Sequence, residues 1–133
     1  MRKLLLASCV ALLTSPALAQ DAPSQCTQGA PTWVSTLCRS YTSYVRVKYC
    51  NEVRKGYLLQ YVNDEELERA EVAIKAIVSK AIETTPNVDT DAIWKRALIL
   101  APQGAHLSRD FCQQYLRSLL ADSPVATISI PKP

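Results

Sequence analysis

The sequence predicts an all-α protein, a small bundle of four or five helices stapled by two disulfides, with an extended C-terminal tail. Three observations point to it. From Thr32 to Leu120 apolar residues recur at spacings of three and four, the period of a helix with one buried face. The chain has only 3 glycines, and the gaps between periodic runs are short and polar, which disfavours a sandwich of many turns. Four cysteines, Cys26, Cys38, Cys50 and Cys112, lie beyond an export-type leader, an even number that reads as a disulfide framework.

The leader is residues 1–19. Arg2 and Lys3 precede an apolar run from Leu4 to Leu13, and Ala17-Leu18-Ala19 gives the small-x-small pattern of a cleavage site. Cleavage there removes 19 of the 133 residues and Cys9, and leaves a mature charge of +1, since Arg2 and Lys3 leave 13 cations against 12 acids. Leu6-Ala7-Ser8-Cys9 also has the form of a lipobox, but only Leu4 to Ser8 would serve as its apolar stretch, short against the ~7–15 residues such a region needs. The expected localisation is periplasmic or secreted, with no transmembrane segment after cleavage. Near-neutral charge disfavours a nucleic-acid partner, and 48% hydrophobic content disfavours global disorder.

Residues 20–31 read as a polar N-terminal lead tied down at Cys26, and 32–122 as the helical domain. Pro31 suits the first turn of a helix. Val34, Leu37, Cys38, Tyr41, Val45 and Tyr49 carry the helical period onward, and Cys50, Val53, Tyr57, Leu58 and Tyr61 continue it. A single helix from Thr32 to Val62 would be ~46 Å long at 1.5 Å per residue, so a bend or break is expected. The weakest segment is Ser40 to Val47, rich in mediocre helix formers, and Gly56 is a second weak point.

Asn63 then caps a second run, with Glu66 three places on to complete a capping box. Leu67, Ala70, Ile74, Ile77, Val78 and Ala81 form its apolar face, while Glu65–Arg69 and Glu71–Lys75 are spaced as i,i+4 ion pairs. Pro86 stops it. Asp89 or Thr90 caps a short helix bearing Ile93, Trp94, Ala97, Leu98 and Leu100, ended by Pro102 and Gly104. Ser108 caps the last, whose apolar face is Phe111, Cys112, Tyr115, Leu116, Leu119 and Leu120. Pro124 closes it, and 123–133 is an extended or flexible tail.

On one continuous helix Cys38 and Cys50 would stand ~18 Å apart along the axis, too far for a bridge. Cys112 needs a partner on a packed neighbour. The favoured pairing is Cys50–Cys112 with Cys26–Cys38, and the alternative is Cys38–Cys112 with Cys26–Cys50.

No catalytic constellation is visible. There is no Gly-x-Ser-x-Gly, His-Glu-x-x-His or phosphate-binding glycine loop. The sole histidine, His106, has no acid or nucleophile beside it, and a solvent-exposed or capping role accounts for it. Spacings of 12, 12 and 62 between the cysteines form no zinc motif, so no metal and no cofactor is expected.

The informative stretch is aromatic and basic. Arg39, Arg46, Lys48, Arg54 and Lys55 against Glu52 give a local +4, with Tyr41, Tyr44, Tyr49, Tyr57 and Tyr61 interleaved. Asp64 to Glu71 follows with a local −4. The two blocks compensate one another if they pack together. Tyr and Arg occur on more than one helical face, Tyr41 and Tyr44 being about 300° apart at 100° per residue. A helix that buries one stripe leaves some of these rings exposed. The expected partner-binding residues are therefore Arg39, Tyr41, Tyr44, Arg46, Lys48, Arg54, Lys55, Tyr57 and Tyr61. The expected function is that of an exported helical protein acting through an envelope or secreted protein partner, as an inhibitor, an immunity-type protein or an assembly component. The alternative is a periplasmic chaperone or a carrier of a small apolar ligand.

Overall fold

The computed structural model of the chain describes residues 25–53, 60–103 and 107–125. Within them lie four helices and no strand: α1 Thr32–Glu52, α2 Asp64–Thr84, α3 Thr90–Leu100 and α4 Arg109–Asp122. The leader, Gly56 and residues 126–133 of the tail lie outside the described residues.

Each of the last three helices starts where a side chain satisfies an otherwise orphaned backbone N–H. Asn63 Oδ1 accepts from the Glu66 N–H at 2.8 Å, and Glu66 Oε2 accepts from the Asn63 N–H at 3.0 Å, closing the capping box of α2. Asp89 Oδ1 accepts from the Ala92 N–H at 3.0 Å at the head of α3. Ser108 Oγ accepts from the Phe111 N–H at 3.3 Å at the head of α4. For α1, Pro31 stands at the capping position itself, one residue before the helix, without a side-chain cap. Its carbonyl accepts the Ser35 N–H at 2.9 Å, so proline's lack of an N–H removes nothing the helix needs there.

The interruption expected between Thr32 and Val62 falls at Val53, not in the weakest segment, Ser40 to Val47. α1 runs unbroken to Glu52, and the chain turns extended only at Val53. Ser40, Val45 and Val47 are fully buried. Their propensity penalties amount to a few tenths of a kcal/mol each, whereas burying one valine side chain contributes about 1.5 kcal/mol or more. Packing therefore outweighs propensity along this segment.

The architecture explains why. α1 is the hub, packed against α2, α3 and α4, while α2 and α4 also touch one another. Cys50 bonds to Cys112 of α4, Asn51 reaches the head of α2, and Tyr41 and Tyr44 meet Trp94 of α3. A central helix buries three faces, so the premise that α1 hides a single stripe is wrong for this helix. Leu37, Val47, Cys50, Ile77, Cys112 and Leu119 form the centre of the main core. Val45, Ala97 and Ala101 form a smaller one beneath α3.

Two disulfides lock this arrangement, Cys26–Cys38 and Cys50–Cys112, with Cα separations of 5.8 and 5.9 Å. This is the favoured pairing. The Cys50–Cys112 bridge and the Arg39–Asp122 contact set α1 and α4 antiparallel, since residue numbers rise on one helix as they fall on the other. The expected pairs Glu65–Arg69 and Glu71–Lys75 are not among the ion pairs that close. On α2, Lys80 meets Glu83 at 3.4 Å instead. No described helix is long and apolar enough to cross a membrane.

Candidate functional site

The aromatic-basic stretch of α1 divides into three groups by the contacts its side chains make. The first faces α3. Tyr41 meets Trp94 edge-on, with centroids 5.1 Å apart, and Tyr44 lies tilted to the same indole at 6.2 Å. Lys48 Nζ sits over both rings, 5.7 Å from Tyr44 and 5.9 Å from Trp94, near the range of a cation–π contact. The Glu71 carboxylate of α2 lies near the Tyr44 hydroxyl. Burial raises the pKa of Tyr44 above its usual value, and the Glu71 charge adds to it. Burial likewise raises Tyr41, with the Asp91 charge second.

The second group faces the C-terminal end of α4. Arg39 donates from Nε and Nη2 to the two carboxylate oxygens of Asp122, both at 3.0 Å. The Ser40 hydroxyl reaches the same carboxylate at 3.4 Å. A carboxylate in the last turn of a helix opposes the macrodipole, and the guanidinium offsets it. The same hydrogen bond raises the Arg39 pKa above its usual value.

The third group is centred on Arg46. Its Nε donates to the Ala101 carbonyl and its Nη2 to the Gln103 carbonyl, both at 3.0 Å. The guanidinium also lies 5.2 Å from the centre of the Tyr115 ring, which in turn lies 6.5 Å from Phe111. The disulfide fixes the register here. Tyr49 precedes Cys50 and Phe111 precedes Cys112, while Arg46 stands four residues before Cys50 and Tyr115 three after Cys112, on the same side of the bridge. The result is a patch of four side chains, with Tyr49 and Phe111 on one level and Arg46 and Tyr115 on the next. Tyr49 is 38% and Phe111 42% exposed, against a core at or near zero.

Of the residues singled out from sequence, Tyr61 is half-buried against the core, and its carbonyl accepts from Gln113 Nε2 at 2.8 Å. Arg54, Lys55, Tyr57 and His106 lie outside the described residues. Tyr115 packs half-buried against the core as its spacing expects, but the same spacing misassigns Phe111 and Tyr49, both exposed, to the buried faces of α4 and α1. A cysteine known to face another helix would have exposed that error, because its preceding residue lies about 100° round the helix from it.

Two surface depressions accompany these groups. One, of about 550 Å³, runs along the outer face of α3 between Asp89 and Leu100 and includes Lys95, Arg96 and Ile99. The other, of about 360 Å³, lies between residues 25–34 and the α2–α3 turn. Among the described residues no group of three or more His, Cys, Asp or Glu side chains is arranged to hold a metal ion. Compared with protein-family models, with characterised proteins and with solved structures, the chain matches none.

Proposed function

We propose that the chain is an exported helical protein that acts by binding another protein in the cell envelope, as an inhibitor, an immunity-type protein or an assembly component. The observation that carries this reading is the patch of Tyr49, Phe111, Arg46 and Tyr115. Exposed aromatic rings beside an arginine with neutral partners are the composition favoured at binding hot spots. The patch rests on two helices joined by a buried disulfide, so little ordering would be lost on docking. Carriage of a small apolar ligand has less support, since both depressions lie open at the surface and the larger is flanked by Asp, Lys and Arg.

The test is capture of partners from an envelope extract by the wild-type chain and by the double variant Tyr49→Ala/Phe111→Ala. A stoichiometric protein partner lost in the variant at unchanged thermal midpoint is expected. Equal capture by both would remove the patch from the proposal, and a bound lipid in place of a protein would favour the carrier.

A further inference from the structure

The two disulfides sit in unlike surroundings. Cys50 and Cys112 are both 0% exposed, enclosed among α1, α2 and α4. Cys38 is 7% exposed, but its partner Cys26 is only half-buried, on the short segment that precedes α1. Thiol–disulfide exchange needs a thiolate to approach a sulfur atom, so access decides which bridge reacts. Of the four bridged cysteines Cys26 is the least enclosed, so by that criterion a thiolate in solution reaches the Cys26–Cys38 bridge first.

Besides the bridge, the segment that Cys26 anchors is attached at Gln25, Thr27 and Ala30. The Asp89 N–H donates to Gln25 Oε1 at 2.7 Å, and Ala30 packs against the core. A turn closes from the Ala30 N–H to the Thr27 carbonyl at 3.1 Å, through Gly29 at φ +92°, a conformation that L side chains rarely adopt. The start of α1 does not depend on the bridge. The Ser35 N–H holds the Pro31 carbonyl, and the Thr36 hydroxyl holds the Thr32 carbonyl at 2.9 Å. Gln25, Ala30, Pro31, Val34 and Val88 are among the residues that line the 360 Å³ depression.

We propose that Cys26–Cys38 is a reducible latch. A dithiol opens it through Cys26, releasing residues 25–30 and uncovering Val34 and Val88, while Cys50–Cys112 keeps the bundle closed. One thiolate of the dithiol attacks Cys26 Sγ and forms a mixed disulfide as the Cys26–Cys38 bond breaks and Cys38 leaves as thiolate. The second thiol of the dithiol then attacks the mixed disulfide and releases Cys26. Two electrons pass from the dithiol to the bridge. The dithiol's two protons end on Cys26 and Cys38, and the dithiol leaves as its own disulfide.

The experiment is a titration of the full chain with dithiothreitol, quenched by an alkylating agent and mapped by peptide mass, alongside amide exchange on each species. The expected intermediate carries label on Cys26 and Cys38 with Cys50–Cys112 intact. Its helical circular dichroism is unchanged, and its exchange rises at least tenfold for residues 25–30. The double variant Cys26→Ser/Cys38→Ser should show the same exchange pattern without reductant. Simultaneous reduction of both bridges, or label on Cys50 and Cys112 first, overturns the selectivity. A selectively opened bridge with exchange unchanged at residues 25–30, in both the reduced species and the variant, overturns the latch.

Discussion

Arg46, in the middle of α1, donates from Nε to the carbonyl of Ala101, the residue that ends α3, at 3.0 Å and across 55 residues of sequence. The last carbonyls of a helix have no partner within it, and the negative end of the macrodipole favours a cation there. Arg46 therefore caps α3 from another helix. Its second donor, on Gln103, holds the start of the α3–α4 connection.

Arg46→Ala should destabilise the fold by about 1–2 kcal/mol, the range for hydrogen bonds to a charged group that is partly exposed. Arg46→Lys should recover less than half of that, because an ammonium cannot reproduce the planar fork that reaches two carbonyls. Urea denaturation of the three proteins checks this. An unchanged midpoint for Arg46→Ala would show that the tether contributes nothing to stability.

Asn51 is a buried amide that joins two helices. It donates to the Val62 carbonyl at 3.1 Å and to Asp64 Oδ1 at 2.9 Å, while Gln60 Nε2 donates to its backbone carbonyl at 3.2 Å. Asn51→Leu keeps the volume but strands the Val62 carbonyl, and should cost about 1–3 kcal/mol. The loss should appear in thermal denaturation, and amide exchange at the head of α2 should rise with it. A leucine variant as stable as wild type would mean that water replaces the amide.

Alkaline pH should destabilise the protein through Tyr41 and Tyr44. Both have folded-state pKa values raised above 10.0, mainly by burial. The contribution of each is fully present below the unfolded value. As pH rises past it, the unfolded chain sheds protons that the folded chain keeps, so stability falls until the folded pKa is passed. The thermal midpoint should decline above about pH 10, and more gently in Tyr44→Phe. A variant with the same slope as wild type would assign the decline elsewhere.

The bridges should differ in what they contribute as well as in how they react. Cys50–Cys112 spans 62 residues and Cys26–Cys38 spans 12. On chain entropy alone the longer loop is worth about 4 kcal/mol and the shorter about 3. Replacing Cys50 and Cys112 by Ser also introduces hydroxyls into the core, which widens the gap. Denaturant midpoints of the two double-serine variants measure it, and a larger loss for Cys26 and Cys38 would contradict the loop-length argument.

Much of the local structure was legible before any coordinates. Asn63, Asp89 and Ser108 mark three helix starts because a cap is a contact over three residues, decided by neighbours in sequence. Helix length forbids Cys38–Cys50 and so left two pairings open, of which the structure holds the favoured one.

What the sequence left open was the number of faces each helix buries. Local pattern reports one apolar stripe, and α1 has three, because two further helices pack on residues that read as polar or weakly helical. That is why Ser40 to Val47 reads as the weakest segment of the run and yet forms continuous helix. It is also why Tyr41, Tyr44 and Arg46, which read as surface from sequence, make contacts with Trp94 and the end of α3. The same geometry leaves Tyr49 and Phe111 exposed although they sit in apolar runs. Sequence alone determined where the helices begin and which cysteines could meet. Only the tertiary structure decided which side of each helix faces water, because that depends on contacts between residues far apart in the chain.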